Sequence, residues 1–127
     1  MDVLVLEDSQ ELRQVWCDFL EDEGHAVTAV DNAESAMAAM HEQPYDLLML
    51  DLHLERGTSI GVSHYARTAL PDCRIIMITG ERVFAHGNHM AEMPGVDWLL
   101  RKPVSLPDLA ALIDYAAMSH SPKAERA

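Results

Sequence analysis

Five positions in this chain carry groups that could do chemistry together: the pair Glu7-Asp8, then Asp51, Thr79 and Lys102, the last followed by Pro103. Each stands at or just past the end of a short apolar run: "VLVL" before Glu7, "LLML" before Asp51, "RIIMI" before Thr79, and the run ending "WLL" shortly before Lys102. Three carboxylates at close range repel and raise one another's pKa values unless a cation joins them. Hard oxygen ligands with open positions suit Mg²⁺ (or Mn²⁺), which keeps several waters and takes one or two carboxylates plus phosphate oxygens. A Thr hydroxyl and a Lys ammonium supply what the remaining oxygens of a phosphoryl group would need. An Asp in such surroundings can act as a nucleophile and form an aspartyl-phosphate.

The elements that must bring these residues together alternate along the chain. Val3–Leu6 reads as a strand. Ser9–Asp22 follows with Leu12, Val15, Trp16, Phe19 and Leu20 on one helical face, Asp8 or Ser9 available as its cap and Gly24 at its exit. Ala26–Val30 reads as a second strand, and Asp31-Asn32 opens a helix running to Glu42, before Pro44. Asp46–Leu50 is the third strand, Ile60–Ala69 a helix, Arg74–Ile78 the fourth strand and Val96–Leu100 the fifth, with a last helix over Leu106–Met118. A further helix within Glu81–Glu92 is weakly written, because Gly87-Asn88 falls in its middle and Gly costs roughly 1 kcal/mol against Ala there. Strands alternating with helices predict an α/β fold with a five-stranded parallel sheet, doubly wound as (βα)5. In such sheets ligands bind beyond the carboxyl ends of the strands, which is where the five positions fall.

Length and composition bound the function. A chain of 127 residues is one domain, with 49% apolar and 24% charged residues. The formal net charge of -12 argues against direct nucleic-acid binding and against an anionic membrane surface. Cys17 and Cys73 match no metal or redox spacing and read as buried free thiols. The start "MDVLVLED" has neither the basic region nor the long apolar run of a signal peptide, and no apolar run is long enough to span a bilayer. These features predict a cytoplasmic protein.

With Glu7-Asp8, Asp51, Thr79 and Lys102-Pro103 each in order at a strand end, the chain resembles a response-regulator receiver domain, the phosphoacceptor half of two-component signalling. The resemblance runs from Val3 to about Met118 and implies a flavodoxin-like receiver fold over residues 1–118, with 119–127 as a polar, frayed tail. It implies that Asp51 takes a phosphoryl group from a phosphohistidine. Asp8 and Asp51 would ligate Mg²⁺ directly with the backbone carbonyl of His53, and Glu7 would act through a metal-bound water. Lys102 would pair with the phosphoryl oxygens, Thr79 would move inward to hydrogen-bond them, and the Lys102-Pro103 peptide would be cis. The implied partners are a sensor histidine kinase or histidine phosphotransferase and a downstream protein target, the chain being a monomer or a phosphorylation-dependent dimer. It would be a signalling domain that assists its own phosphorylation and dephosphorylation, not an enzyme acting on a separate substrate.

Plainer readings exist for each residue alone: Asp51 as a helix cap, Lys102 as a solvated surface charge. They do not explain five groups placed together at strand ends. Haloacid-dehalogenase-like phosphotransferases also use an Asp after a strand, but carry a second Asp two residues later, where this chain has His53. The seven histidines show no metal spacing and none reads as a phosphoryl donor.

Two departures from the resemblance bear on switching. Three residues before Lys102, where an aromatic is usual, stands Leu99, and strand alternation sends Trp98 to the opposite face. Switching is therefore expected to use a repacked Leu99 or the helix within Glu81–Glu92. Four residues beyond Asp51, where Pro is frequent, stands Glu55 in "ERGTSIG", predicting a different turn. His53 and Glu81 flank the approach of water and are expected to tune the lifetime of the phosphate. With nine residues after Met118, the favoured reading is a stand-alone receiver. The alternatives are a receiver cut from a longer transcription factor or hybrid kinase, and a constitutive, unphosphorylated interaction domain.

Overall fold

The computed structural model describes residues 1–80 and 95–120. The helix expected within Glu81–Glu92, and Glu81 itself, lie outside the described residues. Strands β1 (Asp2–Leu6), β2 (Ala26–Val30), β3 (Leu47–Asp51), β6 (Arg74–Thr79) and β7 (Trp98–Arg101) form one sheet in the order β2-β1-β3-β6-β7. Every pairing in it is parallel. Helices α1 (Gln10–Asp22), α2 (Ala33–Glu42), α3 (Ile60–Ala69) and α4 (Leu106–His120) cover it.

Side-chain alternation along the strands sorts the interior into two layers. Leu4, Leu6, Leu48, Leu50, Ile75 and Met77 pack against Ala36, Ala39 and Met40 of α2 and Val62 and Ala66 of α3. Val3, Val5, Leu47, Met49, Ile76 and Ile78 pack against Trp16 and Leu20 of α1 and Leu109 and Ile113 of α4. All five residues of β3 are buried, as a central strand covered on both faces requires. The doubly wound α/β sheet is thus as expected.

Local chemistry fixes the helix starts. The Ser9 hydroxyl accepts from the Leu12 N–H at 3.3 Å, and the Asn32 side chain from the Ser35 N–H at 2.8 Å. Several expected bounds are corrected. β1 begins one residue earlier, β3 begins and ends one residue later and β6 ends one residue later than read, so Asp51 and Thr79 are the last residues of their strands rather than the first beyond them. β7 begins at Trp98, because the Asp97 N–H turns to the Ile75 carbonyl (2.9 Å) and the Asp97 side chain is taken up at the sheet's edge. α4 continues two residues past the expected helix end at Met118, to His120. Cys73 is buried but Cys17 is only half-buried, since it lies at the margin of the α1 stripe. A two-stranded hairpin, β4 (His53–Leu54) with β5 (Gly57–Thr58), replaces the loop after Asp51.

At the amino ends of β6 and β7, Asp97 gathers three donors: the Ile75 N–H at 2.8 Å, Arg67 at 3.2 Å and Arg74 at 3.2 Å. Arg67 also donates to the carbonyls of Pro71 (3.1 Å), Cys73 (3.2 Å) and Gly95. This knot pins α3 and both strands at the end of the sheet opposite the candidate site. Asp97→Ala leaves the buried Ile75 N–H without an acceptor and is expected to cost about 2–4 kcal/mol. Urea denaturation followed by circular dichroism, with an unchanged m-value, checks it.

Candidate functional site

The carboxyl ends of β1, β3, β6 and β7 bring the five expected positions together. Glu7 follows β1 directly and is 2% exposed; its N–H donates to the Val30 carbonyl at 3.1 Å, and its own carbonyl accepts from Arg13 of α1 at 2.9 Å. Asp51 closes β3 and is 5% exposed. Carboxylate oxygens of Glu7, Asp8 and Asp51 lie within 4.8 Å of one another. Lys102 reaches in from the end of β7, with Nζ 3.4 Å from Asp51 Oδ1 and 3.6 Å from Glu7 Oε1. The Lys102 N–H donates to the Thr79 carbonyl at 2.7 Å, fixing the loop after β7 to the end of β6. The Lys102-Pro103 peptide is cis. Thr79 is fully buried, and its hydroxyl makes a long 3.3 Å bond to the Gly80 carbonyl.

Burial, and then the charge of Asp51, push Glu7 up to about 7. Burial also raises Asp51, against the pull of Lys102. A proton on Glu7 relieves its repulsion with Asp51, leaving the Lys102 ammonium beside the Asp51 and Asp8 carboxylates. Glu7 Oε1 is buried without a hydrogen-bond partner among the described residues. A buried hard oxygen with no hydrogen bond and only the charge of Lys102 at 3.6 Å, beside two further carboxylates, fits a divalent cation and its waters, the donor set Mg²⁺ prefers.

His53 is exposed on β4, next to the site in sequence. Leu99 packs into the α2/α3 layer and Trp98 into the α1/α4 layer, as alternation along β7 predicts. Trp98 meets the edge of Tyr115 at a centroid distance of 6.0 Å, with the Arg74 guanidinium 5.5 Å from its ring. Two contacts were not anticipated from sequence. The Glu55 N–H donates to Asp8 Oδ2 at 2.7 Å, and buried Ser59 donates its hydroxyl to Met77 Sδ at 3.2 Å. The Gly57 of "ERGTSIG" signalled a turn, but not which group the turn would aim.

An α/β sheet of order β2-β1-β3-β6-β7 with acids, a Lys and a Thr at its carboxyl edge defines a flavodoxin-like protein with an acidic, cation-ready site. The profile of the response regulator receiver domain matches residues 3–114, and the chain belongs to that family. It is 32% identical over 112 residues to the response regulator receiver protein CpdR of Brucella abortus, covering 88% of this chain and 92% of that one. It is 29% identical to the phosphate regulon transcriptional regulatory protein PhoB of Escherichia coli, of which it spans 54%. Among solved structures, NtrX from Brucella abortus superposes with a TM-score of 0.82 at 27% identity over 98% of this chain and 28% of that one. A CheY-like receiver domain protein from Methanospirillum hungatei shares the fold with a TM-score of 0.86 at 21% identity, covering 96% and 97% of the two chains. This chain is therefore a receiver domain of the two-component response-regulator class, a phosphoacceptor signalling family. Among the described residues, no helix is long and apolar enough to cross a membrane.

The raised Glu7 carboxyl gives a pH prediction. Between pH 4.5 and about 7 the folded, metal-free protein holds a proton that the unfolded chain has lost. The stability from that proton is present in full below pH 4.5 and is lost as pH rises through about 7. Thermal melts in chelator from pH 5 to pH 8 are expected to show this decline, and Glu7→Gln is expected to flatten it. Titrating groups away from the site, including His25, whose pKa burial lowers, remain in both proteins and drop out of the comparison; Asp51, which faces Glu7, shifts with the substitution and is part of what the comparison reads.

Proposed function

We propose that Asp51 accepts a phosphoryl group from the phosphohistidine of a sensor histidine kinase or histidine phosphotransferase. The observation that carries this reading is Asp51 itself: a buried carboxylate at a strand end, 3.4 Å from an ammonium and within 4.8 Å of two further acids. An Asp51 oxygen attacks phosphorus, a P–O bond forms as the P–N bond breaks, and the departing imidazole keeps the bonding pair and is reprotonated from water. Asp8 and Asp51, with the His53 carbonyl, would hold Mg²⁺ or Mn²⁺, and Glu7 would hold one of its waters. When bound, that cation supplies positive charge to the transferring oxygens.

Lys102 offers the second positive charge and is placed by the bond of its N–H to the Thr79 carbonyl. The long bond from the Thr79 hydroxyl to Gly80 is weak enough to be exchanged for a phosphoryl oxygen. Thr79 and Leu99 lie on β6 and β7 in register, Met77 opposite Leu99 and Thr79 opposite Arg101, so movement of Thr79 is felt by the layer that holds Leu99. His53, exposed beside the site, sets with Glu81 how readily water reaches the phosphoryl group. Residues 1–118 act as the receiver unit. The readout is a change in protein contact with a downstream target, in the cytoplasm where phosphohistidine donors work. Phosphorylation biases a two-state surface, which the partner reads.

Incubation with acetyl phosphate and Mg²⁺ is expected to add one phosphoryl group to the wild type, seen by intact mass and Phos-tag electrophoresis. Asp51→Asn is expected to gain none, and Lys102→Ala to lose phosphorylation-dependent partner binding. Absence of the modification with every donor and kinase tried would favour a constitutive interaction domain.

A further inference from the structure

We propose that the main-chain N–H of Glu55 is a positioning group for the cation site, holding Asp8 in place through the β4–β5 hairpin. The inference rests on the reading that Asp8 ligates a divalent cation. The hydrogen bond from the Glu55 N–H to Asp8 Oδ2 is 2.7 Å long, short enough for a charge-assisted bond, and it joins residues 47 positions apart. A carboxylate offers about four lone-pair sites on two oxygens, so this bond leaves a second oxygen for a cation.

The hairpin is built to aim that N–H. Its register pairs His53 with Thr58 and Leu54 with Gly57, so Glu55 and Arg56 form a two-residue tip. Gly57 has φ +88°, a conformation a side chain would strain. Leu54 packs against the α2/α3 layer, and the Ser59 N–H donates to the Leu52 carbonyl at 3.0 Å, closing the hairpin at its base. Ser59 is fully buried. The tip is thus anchored in the interior on one side and bonded to Asp8 on the other. Proline, which the resemblance leads one to expect at this position, has no N–H to give.

The hairpin also forms one wall of a cleft of about 460 Å³ that has Asp8 in its lining. Asp31, Glu34 and Glu55 line the same cleft, against one guanidinium, that of Arg56. Four carboxylates facing one base concentrate cations beside Asp8. The hairpin therefore both shapes the approach and fixes the ligand. Groups that orient metal ligands are worth about 10–100-fold in affinity. By linkage, a cation on Asp8 must steady the hairpin by the same factor.

The test is calorimetric titration of the folded protein with MgCl₂, together with amide exchange at Glu55. Glu55→Pro, which removes the donor, is expected to weaken Mg²⁺ binding at least tenfold, whereas Glu55→Ala, which keeps it, is expected to change binding less than threefold. Mg²⁺ is expected to slow exchange of the Glu55 amide in the wild type. A wild type that binds Mg²⁺ with a Glu55→Pro variant of equal affinity overturns the positioning role and leaves the cation site standing. A wild type that takes up no Mg²⁺ overturns both. Should Glu55→Pro fail to fold, Gly57→Ala carries the test: an added Cβ there meets nothing within 4 Å, so it acts on the turn alone. Faster Glu55 exchange with unchanged Mg²⁺ affinity in that variant overturns the inference, and weaker binding supports it.

Discussion

Two carboxyl groups almost without access to water stand side by side at the ends of β1 and β3, and the rest of the site follows from the need to accommodate them. Moving an ion from water into a protein interior costs several kcal/mol even after relaxation, and two like charges add to it. This protein meets the cost with Lys102 between Glu7 and Asp51 and with the raised pKa that burial gives Glu7. Neither device neutralises the site fully once Asp8 is counted. A residual demand for positive charge is left, which a divalent cation would meet.

The parity of the strands decides how that demand reaches the surface. Asp51 shares its face of β3 with Leu47 and Met49 of the α1/α4 layer, while Thr79 shares its face of β6 with Ile75 and Met77 of the α2/α3 layer. The site therefore straddles the sheet at its edge, and one event there touches both layers. Lys102 belongs to both: its side chain faces the acids, and its N–H holds Thr79. The knot around Asp97 secures the opposite ends of β6 and β7, so that these strands are fixed at one end and carry Thr79 and Lys102 at the other.

Much of this was legible in the sequence because it depends on strong, local signals. Apolar runs of four or five residues located the central strands, and the acids beside them located the site once a parallel sheet was assumed. Ser9 and Asn32 announced their helices by type and position. What escaped depends on backbone groups with no signature of residue type. The Glu55 N–H is the same group in any residue but Pro, so its bond to Asp8 could not be read from the letter at that position. The late start of β7 was hidden in the same way, since Asp97 reads as one more residue of the run Val96–Leu100 until Arg67, Arg74 and the Ile75 N–H converge on it. The exposure of Cys17 turned on the width of a helical stripe, which spacing alone defines only to within one residue.

The outer position of β7 has a bearing on solubility. An edge strand offers unpaired main-chain groups along which other chains can zip, and long apolar edges invite that. β7 has four residues, and it closes on Arg101, Lys102 and Pro103: two cations and a residue with no N–H. At its other end the Trp98 ring lies under Arg74 and against Tyr115. Lys102, whose ammonium faces the acids, thus also helps, with Arg101 and Pro103, to blunt the outer border of the described sheet.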